Sequence, residues 1–152
     1  MRISARADYA VRAAIELAAV HPDIVKTEAI ATQQSIPVKF LEAIMSDLRR
    51  AGLVRSKRGA DGGYQLMHEP SQITVADVIR AVDGPLAWVR DQRPGAVRYT
   101  GSSAALEEVW VAVRASLRAV LDHVSLADVV AAELPAAVTD LTSDPAAWSD
   151  PR

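Results

Sequence analysis

The sequence contains no cysteine among its 152 residues. This absence excludes disulfides, thiolate metal sites, cysteine nucleophiles and cysteine-bound iron–sulfur clusters. The three histidines, His21, His68 and His123, lie far apart along the chain and form no H-x-x-x-H pair of metal ligands. We therefore predict a protein with no metal site and no cofactor.

Aromatic residues and long apolar runs are also scarce. The chain has one Phe, three Tyr and three Trp, and its apolar half relies on Ala, Val and Leu, a composition that favours helices over a sheet sandwich. No apolar run approaches the ~20 residues of a membrane span. The first residues also lack the apolar core of a signal peptide. The sequence predicts a cytoplasmic protein with no membrane partner.

Sequence motifs of nucleotide binding and catalysis are missing as well. Neither G-x-x-x-x-G-K-[ST] nor G-x-G-x-x-G occurs, and Ser, His and Asp show no spacing typical of a catalytic triad. We predict no catalytic residue and no enzymatic activity.

Charge is distributed unevenly, although the net charge is only −2. Residues 1–70 carry ten Lys and Arg against eight Asp and Glu, whereas residues 71–152 carry seven against eleven. A mildly basic first half on an acidic second half is compatible with a nucleic-acid binder whose contacts lie in the first half.

The first half has the pattern of a helix-turn-helix. Apolar residues at helical spacing predict a helix over 4–20 with Ser4 as its N-cap, followed by a short helix over 28–34 capped by Thr27. Pro37 is expected to be the first residue of a third helix that ends near Gly52. A support helix followed by two helices around a three-residue break is typical of this motif.

A β-hairpin is predicted directly after the third helix. Two extended segments within residues 53–66 flank a turn with three glycines and one Asp. A hairpin in this place is a wing. Thr74 and Asp77 then have the spacing of a capping box and open a helix that Gly84 ends.

The second half is predicted to provide dimerisation. Residues 85–102 show no period and are interpreted as a loop. A helix over 103–124 carries an apolar stripe, which predicts packing against a partner helix. The stripe consists of Leu106, Trp110, Val113, Leu117, Val120 and Val124. A shorter helix over 126–133 follows, and residues 135–152 are interpreted as a flexible tail. The fold class is thus mainly α with a small β-hairpin wing, with a winged helix-turn-helix domain (1–84), the loop (85–102) and dimerisation helices (103–134).

Candidate DNA-binding residues lie on the third helix and the wing. A thin loop that projects an arginine suits the minor groove, and residues early in a recognition helix reach base edges. Lys39 can donate to a phosphate or guanine, and Glu42 can accept from a cytosine amino group. The full set is Lys39, Glu42, Ala43, Arg49, Arg50, Arg55, Lys57, Arg58, Gly62 and Gly63.

These segments resemble the Rrf2 family of bacterial transcription regulators. The similarity covers about residues 1–125 and is carried by DYAVRA (8–13), FLE (40–42), LRRAGLV (48–54), RGADGGYQL (58–66) and TVADVI (74–79). It implies a winged-helix homodimer in which the long helices of the two subunits cross. It also implies operator binding with Arg58 in the minor groove, and with Lys39, Glu42 and Ala43 at the major groove.

The chain departs from this family in one respect. Many members hold an iron–sulfur cluster with three cysteines in the loop after the fourth helix, whereas the corresponding residues here, 86–102, contain none. Asp8 matches a position at which some relatives supply an acidic cluster ligand, and without thiolates we interpret it as structural or as part of the interface.

The leading hypothesis is therefore a homodimeric repressor that binds a double-stranded DNA operator without a cluster. Two alternatives stay open. A small-molecule or protein effector could bind near the dimer helices, where Trp88, Trp110 and Tyr99 could line a pocket. Alternatively, the chain is a helical interaction module that uses the 103–124 stripe and never contacts DNA.

Overall fold

Residues 1–150, which the structure describes, form seven α-helices and one β-hairpin in this computed structural model. In chain order the elements are α1 (Ala5–Ala19), α2 (Thr27–Gln34), α3 (Val38–Arg50), β1 (Val54–Lys57), β2 (Gly63–Leu66), α4 (Val75–Asp83), α5 (Leu106–Leu121), α6 (Leu126–Ala131) and α7 (Ala136–Thr142). Short 3-10 turns occupy Pro70–Gln72, Pro94–Ala96, Gly101–Ser103 and Pro145–Trp148.

Helix α1 lies at the centre of the fold. The Ser4 hydroxyl caps it by accepting a hydrogen bond from the backbone N–H of Ala7 at 2.9 Å, as the sequence predicts. Its buried face consists of alanines and Leu17, and these small side chains allow close approach from several sides. Helices α2, α3, α4 and α6 and strand β2 all contact α1.

The core continues into α3, whose buried stripe is Leu41, Ile44, Met45 and Leu48. All four side chains are fully buried together with Leu17 and Ile30. Burial of one such side chain contributes about 1.5–3 kcal/mol. This packing therefore fixes the orientation of α3 relative to the core, and with it the direction in which its solvent-facing side points.

The wing is a two-stranded antiparallel sheet. Val54 pairs with Leu66 and Lys57 with Gly63, so the loop between the strands consists of residues 58–62. Val54 and Leu66 are buried at the base of the hairpin, while the β1 residues that follow Val54 are exposed. The predicted hairpin is confirmed.

Capping boxes begin α4 and α6. Thr74 and Asp77 exchange side-chain to backbone hydrogen bonds at 2.9 and 3.1 Å, and Ser125 and Asp128 do so at 2.8 and 3.1 Å. The box at Thr74 and the end of α4 at Gly84 follow the prediction.

Several predicted boundaries differ from the structure. Thr27 lies inside α2 as its first residue, and Lys26 is the N-cap, without a side-chain cap. Pro37 is itself the N-cap of α3 because its backbone is extended. Helix α5 is shorter than predicted at both ends, since 3-10 geometry occupies Gly101–Ser103 and Asp122 is the C-cap.

The predicted flexible tail contains regular structure. Pro135 is the N-cap of α7, and Pro145–Trp148 form a 3-10 turn that the Asp144 side chain caps. Residues 151–152 of that predicted tail lie outside the described residues. Within residues 1–150, no helix has the length and apolar character needed to cross a bilayer.

Candidate nucleic-acid interface

The solvent-facing side of α3 collects most of the predicted major-groove residues. Lys39, Glu42 and Ala43 are exposed, and their spacing of three and four places them on one face of the helix. Ser46, half exposed, continues this face by one turn. Because the opposite stripe is buried in the core, this face is presented outward in a fixed orientation.

The two arginines at the end of α3 differ in their surroundings. Both Arg49 and Arg50 are exposed, but the Arg50 guanidinium forms an ion pair with Asp47. Asp47 is also paired with Arg6 of α1, so one carboxylate holds two arginines. Arg49 makes no ion pair with any residue in the described range 1–150.

An aromatic contact supports the first turn of α3. Phe40 is 44% exposed, and its ring meets that of Tyr9 edge to face with centroids 5.5 Å apart. The Arg12 guanidinium lies 4.9 Å from the Tyr9 centroid and donates to the carbonyl of Gln34 at 2.8 Å. Helices α1, α2 and α3 are thus joined at the end of α3 where the predicted base contacts lie.

The wing carries three exposed cations. Arg55 and Lys57 lie on β1, and Arg58 is the first residue of the wing loop. Within the described residues, no Asp or Glu side chain lies within 4.0 Å of any of the three cationic groups. Their positive charge is therefore available to an external anion.

Two of the wing glycines lie where a side chain would collide with the backbone. Gly62 is buried, and a Cβ on it would lie 2.2 Å from the carbonyl oxygen of Lys57. A Cβ on Gly63 would lie 2.3 Å from the carbonyl oxygen of Val25. Gly62 therefore closes the turn, and its contact with DNA stays a prediction. Gly63 allows the backbone of β2 to approach Val25.

Two backbone hydrogen bonds join the wing to the segment before α2. The Val25 N–H donates to the Tyr64 carbonyl at 2.8 Å, and the Tyr64 N–H donates to the Val25 carbonyl at 2.9 Å. The segment at Val25 therefore pairs with β2 through a short antiparallel bridge, which connects the wing to the start of the helix-turn-helix.

The junction of wing and α2 forms a shallow recess that the sequence interpretation missed. Lys26, Thr27, Lys57 and the wing glycines line it, together with Glu28, and its volume is about 320 Å³. Lys26 and Thr27 begin α2, whose first N–H groups have no side-chain cap. The Lys-Thr pair directly before a helical period was the available signal.

The predicted dimer stripe lies on α5, with one exception. Leu106, Trp110, Val113, Leu117 and Val120 are half-buried, and no residue of α5 is fully buried. Val124 lies beyond α5 and is only 6% exposed. Its carbonyl accepts from the Val75 N–H at 2.9 Å, so Val124 belongs to the core of its own chain and its place in the stripe is corrected.

Trp88 and Trp110 line one groove, as the sequence interpretation anticipated. We call it the indole groove, with a volume of about 410 Å³ and the lining residues Met1, Ala87, Trp88, Val89, Arg90, Trp110 and Val113. Tyr99 does not line it and is therefore not brought together with the two tryptophans.

Two carboxylates have shifted pKa values, and both lie away from the α3 face. Burial favours the neutral form of Asp122, but hydrogen bonds and charge from Arg118 (2.8 Å) and Arg80 (2.6 Å) outweigh it and lower its pKa. Hydrogen bonds from the backbone and side chain of Ser125 lower the pKa of Asp128. Both carboxylates therefore interact with residues of their own fold, Asp122 with Arg80 and Arg118 and Asp128 with Ser125.

Potential metal ligands are dispersed. No three His, Cys, Asp or Glu side chains converge on one point among residues 1–150. The loop between α4 and α5 offers Asp91 as its one such side chain. An iron–sulfur cluster needs several thiolates, so these residues do not fit one.

The sequence matches the profile of the Rrf2 family, described as an iron-dependent transcriptional regulator, over residues 3–132. An HTH-type transcriptional regulator of Mycobacterium tuberculosis (strain H37Rv) is 49% identical over 145 residues, which cover 95% of this chain and 90% of that protein. CymR of Bacillus subtilis is 37% identical over 132 residues, which cover 84% of this chain and 88% of CymR.

Solved structures agree with this assignment. The structure of CymR, the global cysteine regulator of B. subtilis, superposes with a TM-score of 0.75 at 35% identity and covers 87% of this chain and 98% of its own. The structure of IscR from T. potens superposes with a TM-score of 0.70 at 34% identity. This similarity covers 87% of this chain and 88% of the IscR chain. The chain therefore belongs to the Rrf2 family of winged helix-turn-helix, DNA-binding transcription regulators.

Proposed function

We propose that this protein is a homodimeric repressor that recognises its operator through α3 and the wing and works without an iron–sulfur cluster. One observation carries the proposal. The exposed face of α3 and the cations of the wing belong to elements that are joined by core packing and backbone hydrogen bonds, and the wing cations have no ion-pair partner in the described part of the chain.

In the proposed complex, α3 enters the major groove. Lys39, Glu42 and Ala43 lie early on the exposed face and would meet base edges, with Lys39 donating to a guanine or phosphate. Glu42 would accept from a cytosine amino group. Arg49 and Arg50 lie at the opposite end of the helix, where they would meet phosphates.

The wing would follow the adjacent minor groove. Arg58 is at the start of the wing loop and would enter the groove, where a narrow width concentrates negative potential. Arg55 and Lys57 on β1 would neutralise phosphates. The recess at Lys26 and Thr27 would accept a further phosphate, because two lysines and one glutamate line it beside the uncapped start of α2.

The dimer would form through α5. This helix has no fully buried residue, although its half-buried stripe is apolar. Exposure of such an apolar stripe to solvent is unfavourable, so we expect the α5 helix of a second copy to pack against it. Two copies would place two α3 helices on successive major grooves. A dimer bound there would repress by occupying the operator.

The iron in the family description has no suitable ligands here. The full sequence lacks cysteine, and the described residues offer no converging donor set. We therefore place control of this regulator at the α5 region. A small molecule or partner protein would shift the separation of the two α3 helices by its differential affinity for the two arrangements.

Selection of genomic DNA fragments by the purified protein, followed by a salt titration on the best fragment, tests the proposal. We expect one enriched sequence with two-fold symmetry and a binding constant that falls linearly with the logarithm of salt concentration. Failure to enrich any sequence, or a binding constant that does not change with salt concentration, would refute an operator-binding function. Either result would favour a protein interaction module.

A further inference from the structure

The C-terminal segment, residues 133–150, is acidic and has no opposite charge of its own. Residues 119–150 hold six acidic side chains and no lysine or arginine. Four of the six lie in the segment: Glu133, Asp140, Asp144 and Asp150. None of these four forms an ion pair within the described residues. The segment therefore carries a net negative charge into solvent.

The same segment exposes large apolar side chains. Leu141 is 59% exposed and Trp148 is 77% exposed. The Trp148 indole N–H donates to the Thr142 carbonyl at 2.8 Å, which fixes the ring against the end of α7 while most of its surface stays in solvent. A tryptophan that is already ordered loses little side-chain entropy on binding, and tryptophans are enriched at the energetic centres of protein interfaces.

The indole groove has the complementary properties. Its lining is mostly apolar and aromatic, and it includes Arg90 but no Asp or Glu. The surrounding loop, residues 85–104, carries three arginines against one aspartate. Trp110 and Val113 of α5 form one wall, so the groove is continuous with the proposed dimer interface.

We infer that the C-terminal segment of one chain binds in the indole groove of a second copy. Within its own chain, α7 packs against α5, and the exposed face of the segment points to solvent. The segment supplies no lining residue to the groove of its own chain, so a segment that fills the groove would come from a second copy. Charge complementarity between the acidic segment and Arg90 favours this occupant. We call the contact between the segment and the groove of the second copy the clasp, and two-fold symmetry gives two clasps per dimer.

Photo-cross-linking of the full-length protein tests this inference, which rests on the proposed homodimer. With Trp148→p-benzoylphenylalanine, irradiation is expected to give a covalent dimer on a denaturing gel, with the linkage mapped by mass spectrometry to residues 87–90 or 110. Met67→p-benzoylphenylalanine is the matched control, because Met67 is also exposed but lies next to the wing. This control should give no linkage to the groove.

Charge supplies a second arm. Arg90→Glu should lower the yield of covalent dimer several-fold, and 1 M salt should do the same because it shortens the Debye length to about 3 Å. Sedimentation of each variant separates the possible failures. A stable dimer without the expected linkage, or with linkages elsewhere only, overturns the clasp alone. A monomer at micromolar concentration overturns the proposed homodimer as well.

Discussion

Thr74 and Ser125 lie opposite each other in an isolated antiparallel bridge, and each of them is the N-cap of a helix. The bridge comes from two backbone hydrogen bonds of 2.9 Å, from Val75 to Val124 and from Leu126 to Ile73. Helix α4 of the winged-helix body is thereby attached to the segment that follows α5. The bridge is therefore a direct backbone connection between the segment after α5 and the body that holds α3.

Arg58 should contribute affinity from the minor groove. Arg58→Ala is expected to weaken operator binding by about 1–3 kcal/mol, because the side chain has no alternative partner in the described chain. Fluorescence anisotropy with a labelled operator measures this loss. Lys57→Ala is the control, and as a phosphate contact it should instead reduce the salt slope by about one unit. Equal affinity of Arg58→Ala and the wild type would show that the wing does not bind DNA in this way.

Glu42 should govern sequence choice more than affinity. A carboxylate near phosphates is repelled unless a cytosine amino group donates to it, so Glu42 penalises operators that lack this base. Glu42→Ala is expected to broaden the site obtained in a binding selection. Glu28→Ala is an acidic control at the wing recess and should leave the base preference intact. An unaltered preference for Glu42→Ala would identify Glu42 as a solvated surface residue.

Leu117 should lie near the centre of the dimer interface. Leu117→Asp is expected to produce monomers and abolish operator binding, because a charge would be placed in the apolar stripe of α5. Ala119→Asp is the matched control, since Ala119 is exposed on the opposite side of α5. Sedimentation velocity reports both results. Dissociation by Ala119→Asp alone would indicate that the dimer uses the other face of the helix.

Asp122 should make stability depend on acid. Its pKa is lowered in the folded chain, so the Arg80–Asp122 link contributes stability above the ordinary aspartate pKa of about 3.9 and loses it as the pH falls through the folded value. Asp122→Asn should cost about 0.2–1 kcal/mol at pH 7, the range of partly exposed ion pairs, and less below pH ~3.

Chemical denaturation across this pH range checks the Asp122 prediction. Asp140→Asn serves as the control, because Asp140 is exposed and has no ion pair in the described residues. A constant difference between Asp122→Asn and the wild type at all pH values would mean that the ion pair does not supply the effect.

The protein should purify without colour and bind its operator regardless of iron. We expect iron chelators and nitric oxide to leave operator affinity unchanged, because the chain supplies no thiolate to a cluster. Anaerobic purification with iron and sulfide analysis provides the measurement. Stoichiometric iron and sulfide with a visible absorption band would contradict this reading and direct attention to Asp8.

Local signals allowed much of this architecture to be predicted. Ser4 and the Thr74–Asp77 pair marked helix starts through contacts within three residues, and the stripe of α3 marked its buried face. Val124 was misassigned because it continues the three-four spacing of α5. Its true role depends on a hydrogen bond to Val75, 49 positions away, which no local pattern reveals.

The wing shows the same limit for the candidate site. The three-glycine turn predicted a hairpin, and Arg55, Lys57 and Arg58 proved exposed as expected. The close approach of Gly62 to the Lys57 carbonyl was not predicted, because glycine that permits approach to a ligand and glycine that permits approach to the chain itself look alike in a sequence. The recess at Lys26 was missed since its two sides are about thirty residues apart.

The two hydrogen bonds between Val25 and Tyr64 have a consequence for the operator. They tie the wing to the segment before α2, so we expect the distance between the proposed minor-groove and major-groove contacts to vary little within a subunit. One inserted base pair between these contacts would displace one of them by about 3.4 Å and rotate it by about 34°. In the proposed complex each half-site would be read in a single phase, and variation in operator length would be absorbed between the half-sites.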